Sequence, residues 1–199
     1  MLRKILSQTL NSNPSYIEVY DNALTEKECH ILIDKFEKSH SYDGIVHSNG
    51  QFIADYSVKK CKTLDPSHFN DKSVISNIVY SQLSICISKY EEKYPGIQYT
   101  AQCVVHDHYS FQKYDGEEDG YKAWHQEHGP GKCAKRAFAW MFYLNDAKCG
   151  TEFMHFSNIR AKMGRCVIWP ASWPYVNRGI VPNKGLKYII TGWLDFHEK

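Results

Sequence analysis

Nothing in the 199 residues approaches the roughly 18–20 consecutive apolar side chains that a membrane-spanning helix needs. The N-terminus carries two basic residues, but its apolar run is broken and no small-residue cleavage site follows, so a secretory signal is not expected. The seven cysteines, at 29, 61, 86, 103, 133, 149 and 166, are odd in number, irregular in spacing and never form a CxxC pair. That pattern argues against a disulfide framework. Cys103 and His106 likewise lack the paired spacing of a structural zinc site. No Asn-x-Ser/Thr acceptor with a permitted middle residue occurs, and the expected compartment is the reducing cytoplasm. An excess of one charge is also missing. Twenty-four basic and 22 acidic residues leave a net +2, so neither a nucleic-acid partner nor a membrane is expected. Internal repeats, a phosphate-binding glycine loop and a G-x-S-x-G nucleophile turn are absent too.

What remains is globular. Hydrophobic residues make up 43% and charged residues 23%, and aromatics reach 14% with fourteen Tyr and five Trp, which favours strands. Residues 17–20 read as a short strand. Thr25 and Glu28 form a capping-box pattern, and Cys29, Leu32, Ile33 and Phe36 fall at i, i+3, i+4 and i+7, so a helix is expected over 25–38. A second helix is expected over 71–93, with Ile75, Ile78, Val79, Leu83, Cys86, Ile87 and Tyr90 on its buried side and Pro95-Gly96 ending it. Residues 41–70 read as polar loop with a hairpin turn at Asn49-Gly50.

After residue 96 the period changes. Segments 98–114, 136–144, 151–156, 165–169, 174–179 and 187–196 are short, rich in β-branched and aromatic residues, and separated by turn residues. Along 136–144, Ala137, Ala139, Met141 and Tyr143 face one way and Phe138, Trp140, Phe142 and Leu144 the other. Both faces are apolar, which marks a central strand. Helices followed by a run of strands imply an α+β domain with a β-sandwich or jelly-roll core. The acidic window 115–122 reads as a solvated loop without the ligand spacing of a calcium loop.

The sharpest chemical feature is Trp124-His125-Gln126-Glu127-His128. On extended backbone, His125 and Glu127 project from one face, and imidazole plus carboxylate suit a facial metal site with open positions. Downstream come Tyr143-Leu144-Asn145, then Gly150-Thr151-Glu152-Phe153, Gly164-Arg165, Asn177, and Lys187-Tyr188-Ile189-Ile190-Thr191-Gly192-Trp193 ten residues after Asn177. This ordered series resembles the 2-oxoglutarate/Fe(II)-dependent dioxygenases of the prolyl 4-hydroxylase-like group, best over residues 100–196.

The resemblance implies a double-stranded β-helix (jelly-roll, cupin-like) core at 97–199. A helical part at 1–96 would support it, within one domain of 1–199. It implies Fe(II), 2-oxoglutarate and O2 as cofactor and co-substrates, ascorbate as a supporting reductant, and a protein or peptide substrate, with prolyl as the reference case. His125 and Glu127 would be metal ligands, with Asn177 at the place of the group's distal His. Lys187 would pair with the far carboxylate of 2-oxoglutarate, with Tyr143, Thr191 and Tyr114 beside it. Asn177 departs from the group's pattern, as does Glu127 where Asp is usual. His128 and His155 are the candidate replacements for the missing ligand. A non-catalytic binding protein that keeps the fold is the alternative expectation.

Overall fold

The computed structural model describes residues 14–48, 51–68, 72–106, 108–181 and 185–197. The fold is mostly β-sheet, with two α-helices among those residues. Strand β1 (Glu18–Tyr20) leads into helix α1 (Glu26–Glu37). Short strands β2 (Tyr42–Asp43), β3 (Val46–Ser48), β4 (Gln51–Ile53), β5 (Lys59–Lys60) and β6 (Lys62–Leu64) follow. Helix α2 (Lys72–Lys93) precedes β7 (Cys103–Val105), β8 (Ser110–Asp115), β9 (Gly120–Tyr121), β10 (Arg136–Tyr143) and β11 (Gly150–Phe153). The chain ends through β12 (Ile159–Arg160), β13 (Arg165–Pro170), β14 (Asn177–Gly179) and β15 (Leu186–Phe196).

Local sequence explains the helices. Thr25 Oγ1 accepts from the Glu28 amide at 3.2 Å, and the Glu28 carboxylate accepts from the Thr25 amide at 2.7 Å. That reciprocal cap is worth roughly 0.5–2 kcal/mol. Helix α1 buries Cys29, Leu32 and Phe36, and α2 buries Ile75, Val79, Leu83, Cys86 and Tyr90. Residue 71, the expected start of α2, lies outside the described residues.

The main sheet runs β1-β13-β10-β15-β8-β6-β2, with β7 pairing the far end of β15. A second sheet has the order β12-β11-β14, and β5 pairs β9. Strand β10 is central, as its two apolar faces imply. Trp140, Phe142 and Leu144 pack under both helices with Ile168, Ile190 and Leu194. Ala139 and Tyr143 face the other way into a second cluster with Tyr114, Phe153, Val167, Trp169 and Ile189. A buried Trp removes roughly 150–250 Å² from water, or about 4–6 kcal/mol of transfer free energy. Trp140 achieves this by lying across Gly192, where an added Cβ would sit 2.5 Å from Trp140 Cζ2.

Several elements differ from the sequence expectation. Residues 41–65 are not simply loop. Strand β6 extends the main sheet beside β8, and β5 pairs with β9 inside the acidic window read as solvated. These strands of two or three residues are held by partners about 50–60 positions away, beyond the reach of local pattern. Strands β3 and β4 do pair, Ser48 opposite Gln51, although Asn49 and Gly50 themselves lie outside the described residues. The expected strand 98–114 divides into β7 and β8, and 174–179 shortens to β14 after a 3-10 turn at Trp173–Tyr175. No described helix is long and apolar enough to cross a membrane.

Candidate active site

The second apolar cluster opens onto polar side chains delivered by different strands. His125 follows β9 and is locked by backbone pairing. Its N–H donates to Asn177 O at 3.0 Å, and the Asn177 N–H donates to His125 O at 2.8 Å. Such a doubly bonded antiparallel pair sets both side chains on one face. Sequence order separates the two residues by 52 positions, and the fold makes them neighbours.

The His125 ring stacks on Tyr121, with centroids 3.7 Å apart and planes 8° from parallel. Its Nδ1 lies 3.0 Å from Ala123 O, so Nδ1–H donates to that carbonyl and the ring is oriented with Nε2 toward Glu127. That Nε2 is 3.4 Å from Glu127 Oε1. Glu127 Oε2 accepts from Trp193 Nε1 at 2.8 Å. The Arg136 guanidinium lies 3.5 Å over the Trp193 ring and donates to Glu127 O at 3.1 Å. Burial raises the Glu127 pKa, but the His125 contact, the Trp193 donor and the nearby Arg136 charge outweigh it and pull the carboxyl down to about 2.

Lys187 enters from β15 with a relative exposure of 2%. Its Nζ lies 4.2 Å from the Tyr114 ring centroid, and no carboxylate among the described residues pairs with it. Burial pushes its pKa down, offset in part by the Cys149 and Cys61 thiols. Gly179, two residues past Asn177 and on the same face, keeps space open here. A Cβ there would be 3.6 Å from Lys187 Nζ and 3.3 Å from the Tyr121 amide nitrogen. Lys187 is thereby linked through Gly179 and Tyr121 to the His125–Glu127 pair.

The other expected residues divide. Tyr114 is buried below Lys187, with its hydroxyl donating to Gln112 Oε1 at 2.6 Å. The Tyr143 hydroxyl is buried 2.6 Å from Thr151 Oγ1. Thr191 shares the inward strand face with Lys187, but its hydroxyl donates to Trp140 O at 2.9 Å, so its proton is committed to the sheet. His128 is exposed with Nδ1 3.2 Å from Arg136 O, and His155 is exposed as well. Neither joins His125 and Glu127, and the described residues contain no group of three His, Cys, Asp or Glu able to hold a metal ion.

No family model matches the chain, and no curated protein does. Solved structures match it closely in shape. The prolyl hydroxylase of Trichoplax adhaerens in complex with a hypoxia-inducible factor peptide aligns with a TM-score of 0.69 at 14% identity. That alignment covers 98% of this chain and 89% of that one. The viral collagen prolyl hydroxylase of Paramecium bursaria Chlorella virus-1, in its 2-oxoglutarate complex, gives 0.60 at 15%, covering 92% and 97%. A Pseudomonas putida prolyl-4-hydroxylase gives 0.61 at 12%, with both chains covered completely. The chain shares the fold of the prolyl 4-hydroxylases.

Another structure that matches, at 6% identity and a TM-score of 0.61 over 100% of this chain and 92% of that one, is a Burkholderia pseudomallei oxidoreductase of the 2OG-Fe(II) oxygenase family, and the donors here bear comparison with what Fe(II) needs. Cis ligands of an octahedral ion with bonds of about 2.1 Å lie roughly 3 Å apart. The 3.4 Å between His125 Nε2 and Glu127 Oε1 suits one shared cation. Asn177 Nδ2 donates to Tyr175 O at 3.1 Å, so that bond leaves Oδ1 uncommitted. The pair His125 and Glu127 fits as two strong donors. Arg136 and Tyr121 were missed in the sequence because ring stacking and a guanidinium laid on an indole leave no spacing signature. Trp193 was visible only as the last residue of the Lys187–Trp193 run.

Proposed function

We propose that the protein is an Fe(II)- and 2-oxoglutarate-dependent hydroxylase acting on a protein or peptide, with a metal site of His125, Glu127 and the Asn177 carboxamide. The two packed sheets support reading the core as a double-stranded β-helix within one domain of 1–199. The single observation that carries the reading is Lys187, a buried cation with no carboxylate partner among the described residues, joined to His125 and Glu127 through Gly179 and Tyr121. An unpaired buried ammonium is costly, and a dianionic co-substrate supplies what is missing.

In this reading His125 Nε2 and Glu127 Oε1 hold the cation, while Trp193 and Arg136 fix the rotamer of Glu127 and Tyr121 fixes the plane of His125. Lys187 binds the far carboxylate of 2-oxoglutarate, and a charge-assisted hydrogen bond of this kind is worth about 1.5–3 kcal/mol. Tyr114 closes the pocket below Lys187, and Tyr143 with Thr151 closes a neighbouring wall. Fe(II) with 2-oxoglutarate supplies O2 activation coupled to decarboxylation to succinate and CO2, with hydroxylation of the substrate. The apolar lining excludes water from that chemistry. A peptide substrate is supported by the peptide complex of the Trichoplax relative, and prolyl acceptors are the first to assay. The cysteines, all free thiols, support a cytoplasmic setting.

Asn177 favours a second reading, a non-catalytic binding protein that keeps the pocket without reactive iron. One experiment separates the two. The protein is loaded with Fe(II) under anaerobic conditions and 2-oxoglutarate, and succinate release on admitting O2 is followed for wild type and His125→Ala. Succinate from the wild type alone supports the hydroxylase. Binding of 2-oxoglutarate without any succinate, even with prolyl peptides present, supports the binding protein.

A further inference from the structure

We propose that Lys59 is a second cationic anchor of this pocket, so that its inner end carries two ammonium groups that share one carboxylate of the ligand. The inference rests on the 2-oxoglutarate reading above and adds a residue that reading does not use. Lys59 comes from β5, in the segment whose sequence reads as polar loop, and its relative exposure is only 8%. Its neighbours in sequence behave as surface lysines do. Lys60 meets Glu118 and Asp119 at 3.4 and 3.5 Å, and Lys62 meets Asp43 at 2.6 Å. Lys59 has no carboxylate partner among the described residues. Its Nζ instead lies 5.5 Å from the centroid of the Tyr121 ring, the ring stacked on His125.

Two observations join Lys59 to Lys187. The buried thiol of Cys61 feels the positive charge of both. A Cβ on Gly44 would meet Cys61 Sγ at 2.6 Å and Lys59 Cε at 3.2 Å, and one on Gly179 would meet Lys187 Nζ at 3.6 Å and the Tyr121 amide at 3.3 Å. Neither lysine nitrogen is among the sealed, partnerless polar atoms of the described residues. Each ammonium is drawn out of water without a carboxylate partner among the described residues, and cation–π contacts with Tyr121 and Tyr114 offset only part of that cost. A bound carboxylate relieves both at once. The pocket should therefore discriminate strongly for a 2-oxo acid with a distal carboxylate over one without.

The test compares wild type, Lys59→Met, Lys187→Met and the double variant, each loaded with Mn(II). Calorimetric titrations use 2-oxoglutarate, 2-oxobutyrate (which lacks the distal carboxylate), succinate and inorganic phosphate. Thermal melts are run with and without each anion. Each single variant should weaken 2-oxoglutarate about ten-fold or more and leave 2-oxobutyrate unchanged, because only the distal charge is addressed. Ligand-free melting temperatures should hold or rise, since methionine keeps the stem and removes an unpaired charge. Lys59→Gln is run beside Lys59→Met so that a folding defect in one leaves the other to decide. If folded Lys59 variants bind 2-oxoglutarate within about two-fold of wild type while Lys187→Met does not, the second anchor is overturned and the co-substrate reading stands. If the wild type ignores 2-oxoglutarate but binds succinate or phosphate through both lysines, the paired-cation pocket stands and the co-substrate reading falls. Binding of none of these anions overturns both.

Discussion

Replacing Trp193 with Phe probes how the protein holds Glu127. The indole Nε1 donates to Glu127 Oε2 at 2.8 Å, and its ring carries the Arg136 guanidinium at 3.5 Å. Phenylalanine keeps a ring for Arg136 and removes the donor. The partly buried carboxylate then loses a charge-assisted hydrogen bond, worth about 1.5–3 kcal/mol. For a chain of this size 1 kcal/mol moves the melting temperature by roughly 2–4 °C, so a drop of roughly 3–12 °C is expected without metal. Freed of that restraint, the carboxylate also samples rotamers that turn Oε1 away from His125 Nε2, 3.4 Å distant in the native site. Loss of such supporting contacts commonly costs about 10–100-fold in metal affinity. The assays are urea or thermal unfolding of the metal-free protein and Mn(II) titration followed by electron paramagnetic resonance. Trp193→Phe with wild-type stability and wild-type Mn(II) affinity would refute the claim that the indole N–H holds the carboxylate. A loss of stability with unchanged Mn(II) affinity would restrict that contact to folding.

Other perturbations follow from the same geometry. Asn177→His places an imidazole on the face shared with His125, so metal content after purification, measured by mass spectrometry, should rise together with uncoupled succinate release. An unchanged metal content would mean that position 177 does not reach the cation. Gly192→Ala drives a methyl into the Trp140 ring, 2.5 Å from Cζ2, and should cost about 1–3 kcal/mol or more in denaturant unfolding. Asp21 is held down to about 2 by hydrogen bonds from Arg165 and Lys162, so its contribution is present above the ordinary carboxylate range and fades as pH falls toward that value. Because Asp21 is 40% exposed, screening limits the effect to about 1 kcal/mol or less, so Asp21→Asn should be less stable than wild type at pH 6 and equal to it near pH 2.

The helices were legible from sequence because their information is local. The Thr25–Glu28 cap and the 3.6-residue apolar stripes of α1 and α2 are fixed within one or two turns. The two apolar faces of β10 were legible for the same reason, since strand alternation has a period of two and needs no partner to be read. The 52-position separation of His125 and Asn177 gave no hint by spacing alone that the two backbones pair. Only an ordered resemblance made Asn177 a candidate ligand, and the fold sets its backbone beside that of His125. Strands β5 and β9 escaped notice because two-residue strands have no period, and their pairing is settled by contacts across about sixty residues of chain.

By itself, the sequence determined what depends on neighbours along the chain: helix caps, strand faces, and the chemistry of an imidazole and a carboxylate two residues apart. Tertiary structure alone decided which groups lost their water and which kept partners. Lys59 and Lys60 are adjacent and chemically identical. One is paired with Glu118 and Asp119 at the surface, and the other is drawn inside over Tyr121. Alternation along β5 sends them to opposite faces, but which face is buried depends on the strand that pairs with it. The same holds for Lys187, whose charge is ordinary in the sequence and which packing buries without a carboxylate partner among the described residues.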